Sequence, residues 1–378
     1  MKEKVSLVRC EDYSEENVED ALRESLSLIS GIKKFVQRGD KVLLKVNLLM
    51  PRKPEAGITT HPAVMKALAR MIKERGAEVM IGDSSMWMTN KALKLCGVEE
   101  VARELGVKAV NLDTFRPRKV KIKGGKVLKE VYIPSLALDV DVLVSVPKLK
   151  AHELTSLTGA VKNLLGLIPG RLKTEVHKTA PDPESFSEAL LDIYSVVKPS
   201  FAVMDGVISV EGSAGVGGTR KVGVILASDN LLALDTVAGA IIGYKPEDLP
   251  VNRMAKKRGL KGVSLKEIEV LGEEISEVAE PRFRKPSRLI RLLGSFPALN
   301  PFFTNDYKPV LNRKKCIKCE ICIEHCPVGA IKADDEGYPE FDYDKCIQCF
   351  CCREGCQAGA IELQESLLAK MISRVMAG

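Results

Sequence analysis

Apolar residues occur through most of the chain in short continuous runs, with longer amphipathic stretches between them. Runs of Val, Ile and Leu that are continuous rather than alternating are typical of parallel strands covered on both faces. The amphipathic stretches 14–30, 61–75 and 231–242 predict helices. This alternation predicts an α/β fold, with a large layered domain and a mainly parallel sheet whose strand order the pattern leaves open. The predicted strands are residues 5–9, 41–47, 78–82, 141–147, 201–205 and 221–228.

The domain organisation follows from length and local composition. A chain of 378 residues is longer than one ordinary domain, and we predict that residues 1–280 form the α/β domain. Residues 281–310 are basic and contain prolines, which predicts a linker or strap, either a connector packed on its neighbour or a helix at a membrane surface. Residues 311–363 are predicted to form a small α+β domain, and residues 364–378 a C-terminal helix.

The cysteines are concentrated in the predicted small domain. Of 11 cysteines, nine lie between Cys316 and Cys356, which is typical of metal binding in a reducing compartment rather than of a disulfide scaffold. Eight of them form two C-x2-C-x2-C-x3-C repeats, thirty positions apart. The first repeat contains Cys316, Cys319, Cys322 and Cys326, and the second contains Cys346, Cys349, Cys352 and Cys356.

The spacing within each repeat favours an iron-sulfur cluster. Three closely spaced thiolates can each reach a different iron of one cubane, while the fourth ligand must come from elsewhere. Zinc is the alternative for C-x2-C pairs, but it needs a wider separation between pairs. The segment resembles the bacterial two-[4Fe-4S] ferredoxins, in which the fourth ligand comes from the other repeat. That resemblance implies two [4Fe-4S] clusters, one held by Cys316, Cys319, Cys322 and Cys356 and the other by Cys346, Cys349, Cys352 and Cys326.

Three further cysteines are not needed as cluster ligands. Cys351 lies between two ligands of the second repeat and is predicted to be a packed thiol. Cys10 and Cys96 lie far from the repeats in sequence, and we predict that each is a small core residue.

Polar side chains follow the predicted strands of the α/β domain at their carboxyl ends. Ligands of open α/β sheets bind beside these ends, because successive loops converge there. Lysines are able to hold a carboxylate or a phosphate, whereas acidic residues are able to bind a metal or transfer protons. The alternative is that polar residues follow strands only because loops are solvated. The candidates at these ends are Lys45, Asn47, Asp83, Lys148, Lys150, His152 and Asp205.

The stretch 147–166 contains many such residues, and we predict a functional site there. It adds Lys162 and Asn163 to the candidates, without an evident amphipathic pattern. His61 precedes a predicted helix, where it either caps the helix or acts in the site. His177 is predicted to be a solvated loop residue.

Together these motifs resemble an uncharacterised family, domain-of-unknown-function family 362. The resemblance extends over nearly all of residues 1–280, and members of that family often carry a ferredoxin module. It implies that the loops form a shared site, but it implies no activity, because none is assigned to the family. The matching stretches read KVN, ITTHPAV, IGDSS, PKLKAH, LTGAVKNLLG, MDGVISVEG and ILASDNLLALDTVAG.

Composition restricts the classes of partner and the location. The net charge of +7 and the aromatic content of 5% do not favour nucleic-acid binding. The longest apolar stretch, residues 222–244, is interrupted by Asp229 and Asp235, so we predict no membrane span. The first residues are rich in Lys and Glu and do not resemble a signal peptide, which favours a cytoplasmic protein.

The leading hypothesis is an iron-sulfur redox protein whose clusters relay electrons to or from an anionic small molecule bound by the α/β domain. A second hypothesis is an electron carrier or assembly subunit without catalysis, which docks a partner enzyme. A third is a non-redox enzyme that uses its cluster as a structural element or a sensor. In the leading hypothesis the predicted roles are anion binding for Lys45, Asn47, Lys148, Lys150, Lys162 and Asn163, proton transfer for His61 or His152, and orientation or metal binding for Asp83 and Asp205.

Overall fold

The computed structural model describes residues 2–85, 88–152, 154–170, 172–212, 218–285, 307–356 and 358–365. All six strands predicted from the apolar runs are present. The strands are β1 Glu3–Arg9, β2 Lys41–Val46, β3 Glu78–Asp83, β4 Lys108–Asn111, β5 Pro117–Lys121, β6 Glu130–Pro134, β7 Val142–Val146, β8 Lys148–His152, β9 Ser156–Thr158, β10 Phe201–Val210, β11 Thr219–Ser228, β12 Ile268–Gly272, β13 Tyr307–Leu311, β14 Ile331–Ala333, β15 Pro339–Phe341 and β16 Ile361–Glu365. The helices are α1 Glu15–Leu28, α2 Pro62–Glu74, α3 Thr89–Leu95, α4 Val98–Leu105, α5 Ser135–Asp139, α6 Ala160–Asn163, α7 Leu172–Thr179, α8 Pro183–Val196, α9 Leu231–Ile241, α10 Pro250–Lys257, α11 Ile275–Val278, α12 Ile321–Glu324 and α13 Cys351–Glu354. Among these described helices, none is both long and apolar enough to cross a membrane.

One sheet organises the large domain, and within the described residues it has ten strands. Its main path runs β12-β1-β11-β10-β7-β2-β3-β4. The strands from β10 to β4 on this path are parallel to one another, and β1 is parallel to β12. Only β11 on this path is antiparallel to both of its neighbours. This confirms the predicted α/β fold with a mainly parallel sheet.

Helices cover both faces of this sheet. In β2, Leu43 belongs to one buried apolar cluster and Val42 and Leu44 to another, because successive side chains of a strand point to opposite faces. Helices α8, α9 and α10 contribute to the first cluster, and α1, α2 and α4 contribute to the second. Burial of both faces explains why the strand sequences are continuously apolar rather than alternating.

A hairpin of β8 and β9 lies beside the carboxyl half of β10. Strand β8 pairs in parallel with β10 and antiparallel with β9. The pairing brings Lys148 opposite Asp205, and the register between β8 and β10 then shifts before Lys150. The chain continues from β9 directly into α6, so the polar stretch predicted to form a site folds as strand, turn, strand and short helix.

The small domain contains two antiparallel strand pairs, β13 with β16 and β14 with β15. Its backbone repeats as its sequence does. Lys318 and Glu320 have φ angles of 52° and 57°, and Gln348 and Phe350, thirty positions later, have φ angles of 50° and 59°. These left-handed residues lie on either side of the second cysteine of each repeat, Cys319 or Cys349. Alternation of left-handed and right-handed residues curves the backbone into a loop that can surround a bound group.

The predicted strap between the domains is only partly described. Arg284 binds Glu211 of the large domain, through its Nε at 2.7 Å and its main-chain N–H at 2.9 Å. Residues 286–306 lie outside the described residues. Strand β13 begins at Tyr307, which is inside the range predicted as strap.

The C-terminal end differs from the prediction where it is described. Strand β16 continues to Glu365, two residues into the range predicted as a helix. Pairing with β13 accounts for the difference, because Glu365 lies opposite Tyr307 in the register. The remaining residues of that predicted helix, 366–378, lie outside the described residues.

Candidate functional site

A polar pocket opens at the carboxyl ends of β2 and β3, beside β8, α6 and α7. Its empty space, including the mouth open to solvent, is about 520 Å³. The carboxyl ends of parallel strands are where open α/β sheets bind ligands. The sequence candidates that line this pocket are Lys45, Asn47, Asp83, Lys150, Lys162 and Asn163.

Lys45 and Asp83 form a buried ion pair in the wall of the pocket. Nζ of Lys45 lies 2.8 Å from Oδ1 of Asp83, and Oδ2 of Asp83 accepts from the main-chain N–H of Leu48 at 2.8 Å. Parallel pairing of β2 with β3 places Lys45 opposite Gly82, the residue directly before Asp83. Burial lowers the pKa of Lys45 and raises the pKa of Asp83, while the attraction between the two charges opposes both shifts.

Hydrogen bonds connect β2, β8 and α6 around the same pocket. Nζ of Lys150 donates to Oδ1 of Asn47 at 2.9 Å and to the main-chain carbonyl of Ile58 at 2.8 Å. Nδ2 of Asn47 donates to Oδ1 of Asn163 at 3.3 Å. These elements are far apart in sequence, so the pocket exists only in the folded chain.

Lys173 and His177 also line the pocket, although the sequence pattern predicts neither as a site residue. The prediction that His177 is a solvated loop residue is wrong, because it lies in α7, is 2% exposed and stacks on Phe186. Nζ of Lys173 donates to Oγ of Ser84 and to the carbonyl of Ser85, and burial lowers the pKa of Lys173 to about 8. The four-residue spacing of Lys173 and His177, which puts both on one helix face, is the signal that could have identified them.

A second polar cluster contains Lys148, Asp205 and His61, which do not line the pocket. Nζ of Lys148 lies 2.9 Å from Oδ2 of Asp205 and donates to the hydroxyl of Tyr13 at 2.6 Å. The Tyr13 hydroxyl donates to Oδ1 of Asp205 at 2.9 Å. The main-chain N–H of His61 donates to Oδ2 of Asp205 at 2.9 Å. Lys148 and Asp205 are 1% and 0% exposed, so they form a fully buried ion pair.

Tyr13 and His61 cover this ion pair with stacked rings, whose centroids are 3.6 Å apart. Burial raises the pKa of Tyr13, and the nearby charge of Asp205 raises it further, so the phenol stays protonated. Burial lowers the pKa of His61 to about 4, so its ring is neutral at pH 7. Nδ1 of His61 accepts from the main-chain N–H of Ala63 at 3.2 Å. Of the two alternatives for His61, the geometry shows the helix cap.

His152 stabilises the turn between β8 and β9. Its ring is 3% exposed, and Nδ1 accepts from the main-chain N–H groups of Leu154 and Thr155 at 3.1 and 3.4 Å. His152 does not line the polar pocket. The imidazole therefore orients the hairpin that carries Lys150.

Asp235 positions α6, the helix that carries two of the pocket residues. Its carboxylate accepts from the main-chain N–H groups of Ala160 and Val161 at 2.6 and 3.1 Å. A Cβ on Gly159 would lie 2.1 Å from Oδ1 of Asp235, so only glycine fits at that position. Burial raises the pKa of Asp235 to about 7, although the two hydrogen bonds oppose this shift.

The free energy of unfolding is expected to depend on the ionisation of Asp235. Its pKa is about 7 in the folded chain and 3.8 for an ordinary Asp, so the folded state binds more protons between these values. Stability should therefore fall as the pH rises from about 4 to about 7, by up to about 1.4 kcal/mol per pH unit. Denaturant unfolding at several pH values should show this slope in the native chain and lose it in Asp235→Asn. The exposed Asp229→Asn is the matched control, and a slope that persists in Asp235→Asn contradicts the assignment.

The cysteines of the first repeat lie around a second pocket. Cys316, Cys319 and Cys322 line it together with Cys356 of the second repeat and several apolar residues. Burial raises the pKa of the Cys322 thiol to about 12, and the neighbouring thiols of Cys356, Cys319 and Cys316 raise it further. The fold therefore places Cys356, the last cysteine of the second repeat, beside the first three cysteines of the first repeat.

The thiols of the second repeat meet in the same crossed manner. Burial raises the pKa of Cys352, and the neighbouring thiols of Cys349, Cys346, Cys322 and Cys326 add to the increase. Cys326 of the first repeat thus lies near Cys346 and Cys352 of the second. These contacts fit two cubane clusters whose fourth ligands are exchanged between the repeats.

The two crossing sulfurs have equivalent surroundings. Sγ of Cys326 accepts from the N–H of Ala330, and Sγ of Cys356 accepts from the N–H of Ala360, both at 3.1 Å. Such hydrogen bonds are one of the factors that set a cluster potential. In the part of the chain that the structure describes, no three His, Cys, Asp or Glu side chains lie together as the ligands of a single metal ion would. The thiolates of a cubane each bind a different iron and stand farther apart than the ligands of one ion.

Leu49 joins the polar pocket to the small domain. It lines the pocket and packs against Cys351, which Cys349 of the second repeat also contacts. Its φ angle is 46°, a left-handed conformation that costs a leucine about 1–2 kcal/mol, so the surrounding contacts hold it there. Cys351 is 0% exposed, which confirms that it is a packed thiol. Cys10 and Cys96 are also buried in the apolar core, as predicted.

A family model described as "Domain of unknown function (DUF362)" matches residues 42–240, more than half of the chain. The chain belongs to the DUF362 family. The matched range includes all the residues of the polar pocket named above, from Lys45 to His177, and both residues of the buried Lys148–Asp205 pair. The motifs that carry the resemblance in sequence therefore include those that line the pocket in the structure.

This DUF362 protein also carries a 4Fe-4S binding domain with an electron-transfer role. A family model with that description matches residues 309–332, which contain the first cysteine repeat. Ketoisovalerate oxidoreductase subunit VorD of Pyrococcus furiosus is 50% identical over 38 residues, 10% of this chain and 36% of that protein. Pyruvate synthase subunit PorD of the same organism is 38% identical over 76 residues, 19% of this chain and 65% of that subunit. The likeness to these subunits is confined to a small part of the chain.

One relative resembles the chain over most of its length. Thylakoid-associated protein sll1697 of Synechocystis sp. is 31% identical over 268 residues, 69% of this chain and 81% of that protein. Among solved structures, the lactate racemase apoprotein of Thermoanaerobacterium thermosaccharolyticum aligns with 64% of this chain and 57% of that chain, with a TM-score of 0.43 and 11% identity.

Proposed function

We propose that this DUF362 protein is a redox protein that carries two [4Fe-4S] clusters and exchanges electrons with an anionic small molecule bound in the polar pocket. When bound, the clusters supply electrons one at a time. The α/β domain binds and orients the molecule, excludes water from it and supplies protons. The proposed cluster ligands are Cys316, Cys319, Cys322 and Cys356 for one cluster and Cys346, Cys349, Cys352 and Cys326 for the other.

The observation that carries this proposal is the position of Leu49. One side chain contacts both the pocket and the packed thiol Cys351, which directly precedes the proposed ligand Cys352. A second contact lies nearby, where Nη2 of Arg52 donates to the main-chain carbonyl of Cys356 at 3.3 Å. The segment that carries the second repeat therefore packs against the wall of the pocket, and we infer that its cluster lies close enough to exchange electrons with a molecule bound there.

The other end of the small domain is open to solvent. Cys319 is exposed, and Ile317 beside it is 63% exposed. An exposed apolar side chain next to a cluster ligand suits transient contact with a redox partner. We infer that a partner protein exchanges electrons at the first repeat, and the small molecule at the second.

The experiment is an anaerobic reoxidation assay. The clusters are reduced, the protein is mixed with fractionated metabolite pools, and the return of the oxidised cluster absorption is followed. We expect one fraction to reoxidise the clusters, and Lys150→Ala to slow this by about tenfold or more, because it removes a positive charge from the pocket wall and the hydrogen bond that holds Asn47 in place. Lys261→Ala removes an exposed lysine and is the matched control. Clusters that stay reduced with every fraction, or an unchanged rate in Lys150→Ala, contradict the proposal.

A carrier or assembly subunit is the second candidate. The observation in its favour is the resemblance of the cysteine repeats to VorD and PorD, which their names describe as subunits of larger enzymes. In that case the exposed surface at Ile317 would bind a partner enzyme permanently. Purification of the native protein with a stoichiometric partner, together with clusters that no metabolite reoxidises, would favour this candidate.

A further inference from the structure

The hydrogen bonds of the pocket show which of its side chains have no hydrogen-bond donor left for a ligand. An ammonium group has three donors, and Lys45 uses all of them. Its Nζ binds Oδ1 of Asp83 at 2.8 Å, the carbonyl of Val46 at 2.6 Å and Oδ1 of Asn163 at 2.9 Å. Lys45 therefore has no donor left for a ligand and acts as a positioning residue.

Asn163 and Gly166 help to hold the Lys45–Asp83 ion pair in place. Nδ2 of Asn163 donates to the carbonyl of Lys45 and to Oγ of Ser145, both at 3.1 Å. A Cβ on Gly166 would lie 2.5 Å from both Oδ1 of Asp83 and Nζ of Lys45. The backbone at residue 166 thus covers one side of the ion pair, and only glycine allows so close an approach.

Other groups around the pocket keep the capacity to bind a ligand. Lys173 is 3% exposed, and Ser84 and Ser85 accept two of its three donors. Thr158 is 2% exposed, and its hydroxyl has no hydrogen-bond partner among the described residues. Lys162 is half-buried, and it forms no ion pair within the part of the chain that the structure describes. A buried hydroxyl without a partner costs free energy, which a polar ligand atom would recover.

The charges of Lys162 and Lys173 are not matched by acids in the pocket wall. Asp83 is the carboxylate among the described lining residues, and it forms its ion pair with Lys45 while attracting Lys173 more weakly. Asp113 attracts Lys173 from a distance, but its oxygens accept from Ser84, Thr89 and Gly170 instead. Cations taken out of water need an anionic partner. A bound anion would therefore stabilise buried Lys173 and half-buried Lys162.

We propose that the pocket binds a small non-aromatic ligand with two negative charges on oxygen atoms, either a dicarboxylate or a phosphate ester. Lys162 and Lys173 bind the anionic oxygens, and the Thr158 hydroxyl donates one further hydrogen bond. No Phe, Tyr or Trp is among the described residues around the pocket, and the ring of His177 there stacks on Phe186, which favours a ligand without a base. Burial lowers the pKa of Lys173 to about 8, and a bound anion favours its charged form. This inference rests on the proposed function in placing the ligand in the same pocket.

Calorimetric titration of the full cluster-loaded chain tests the ligand class. The probes are succinate as a dicarboxylate, glycerol phosphate as a phosphate ester, and acetate as a single carboxylate. We expect at least one of the two dianions to bind about tenfold or more tightly than acetate, because a second charge-assisted hydrogen bond forms. Preferred binding of succinate identifies a dicarboxylate, and preferred binding of glycerol phosphate identifies a phosphate ester.

Variants locate the binding and keep the test independent of folding. Lys162→Met changes a half-buried side chain, and Thr158→Val keeps the shape of a buried one, so both are expected to fold. Each should weaken dianion binding by about fivefold or more, whereas the exposed Lys261→Met should not. Equal affinities for acetate and both dianions, or unchanged binding in Lys162→Met, would overturn the proposal. A dianion that binds but leaves reduced clusters unreacted contradicts the proposed function alone, and reoxidation by a monoanion contradicts the ligand class alone.

Discussion

Cys326→Ala is expected to remove the cluster of the second repeat, although Cys326 lies in the first. Cys326 lies near Cys346 and Cys352 in the fold, and a cubane that loses one of four thiolate ligands is not retained intact. The iron content should fall by about half, since one of the two proposed four-iron clusters is lost. Iron analysis and electron paramagnetic resonance of the reduced protein measure the loss.

Double variants show which cysteines share a cluster. If Cys326 and Cys349 bind the same cluster, Cys326→Ala with Cys349→Ala should keep as much iron as either single variant. Cys326→Ala with Cys319→Ala should lose nearly all of it, because the two residues then bind different clusters. Cys351→Ala removes a packed thiol from the same segment and should retain both clusters. Loss of all iron in the first double variant would contradict the exchanged ligands.

The features that sequence predicts well here are local ones. Continuous apolar runs identify the strands because a parallel strand buries both faces, whatever its neighbours are. The cysteine repeats are equally local, since each loop presents three thiolates within seven residues, such as Cys316 to Cys322. Residues at strand ends were identified for the same reason, and Lys45, Asn47 and Asp83 do meet at one edge of the sheet.

The grouping of those residues depends on tertiary pairing, which the sequence does not show. Lys148 and Lys150 are two positions apart, and in a regular strand both would point to one face. In the structure Lys148 lies opposite Asp205 and Lys150 opposite Val210, because the register between β8 and β10 shifts between them. The irregular pairing sends one lysine to the buried ion pair and the other to the pocket. Tyr13 lies in a loop without a motif, so only the fold reveals its contact with Lys148.

The same pairing leads to the second large expected effect, in which Asp205→Ala lowers the free energy of unfolding by about 3–5 kcal/mol. Asp205 is 0% exposed and accepts hydrogen bonds from Lys148, Tyr13 and the main chain of His61. Its removal leaves the ammonium of Lys148 buried without a countercharge, which costs more than the pair contributes when intact. Denaturant unfolding of the variant against the native chain measures the loss.

A compensating double variant separates a structural role from a catalytic one. Lys148→Met with Asp205→Leu removes both charges and keeps apolar volume, so it should recover most of the stability lost in Asp205→Ala. Tyr13→Phe is the matched control, because it removes one hydroxyl from the cluster and keeps the ring that stacks on His61. If this ion pair only braces the sheet, the double variant should also bind ligand in the separate polar pocket as the native chain does. A double variant that is stable but no longer reoxidises its clusters would instead make Lys148 and Asp205 part of the reaction, because their loss would then affect turnover without affecting the fold.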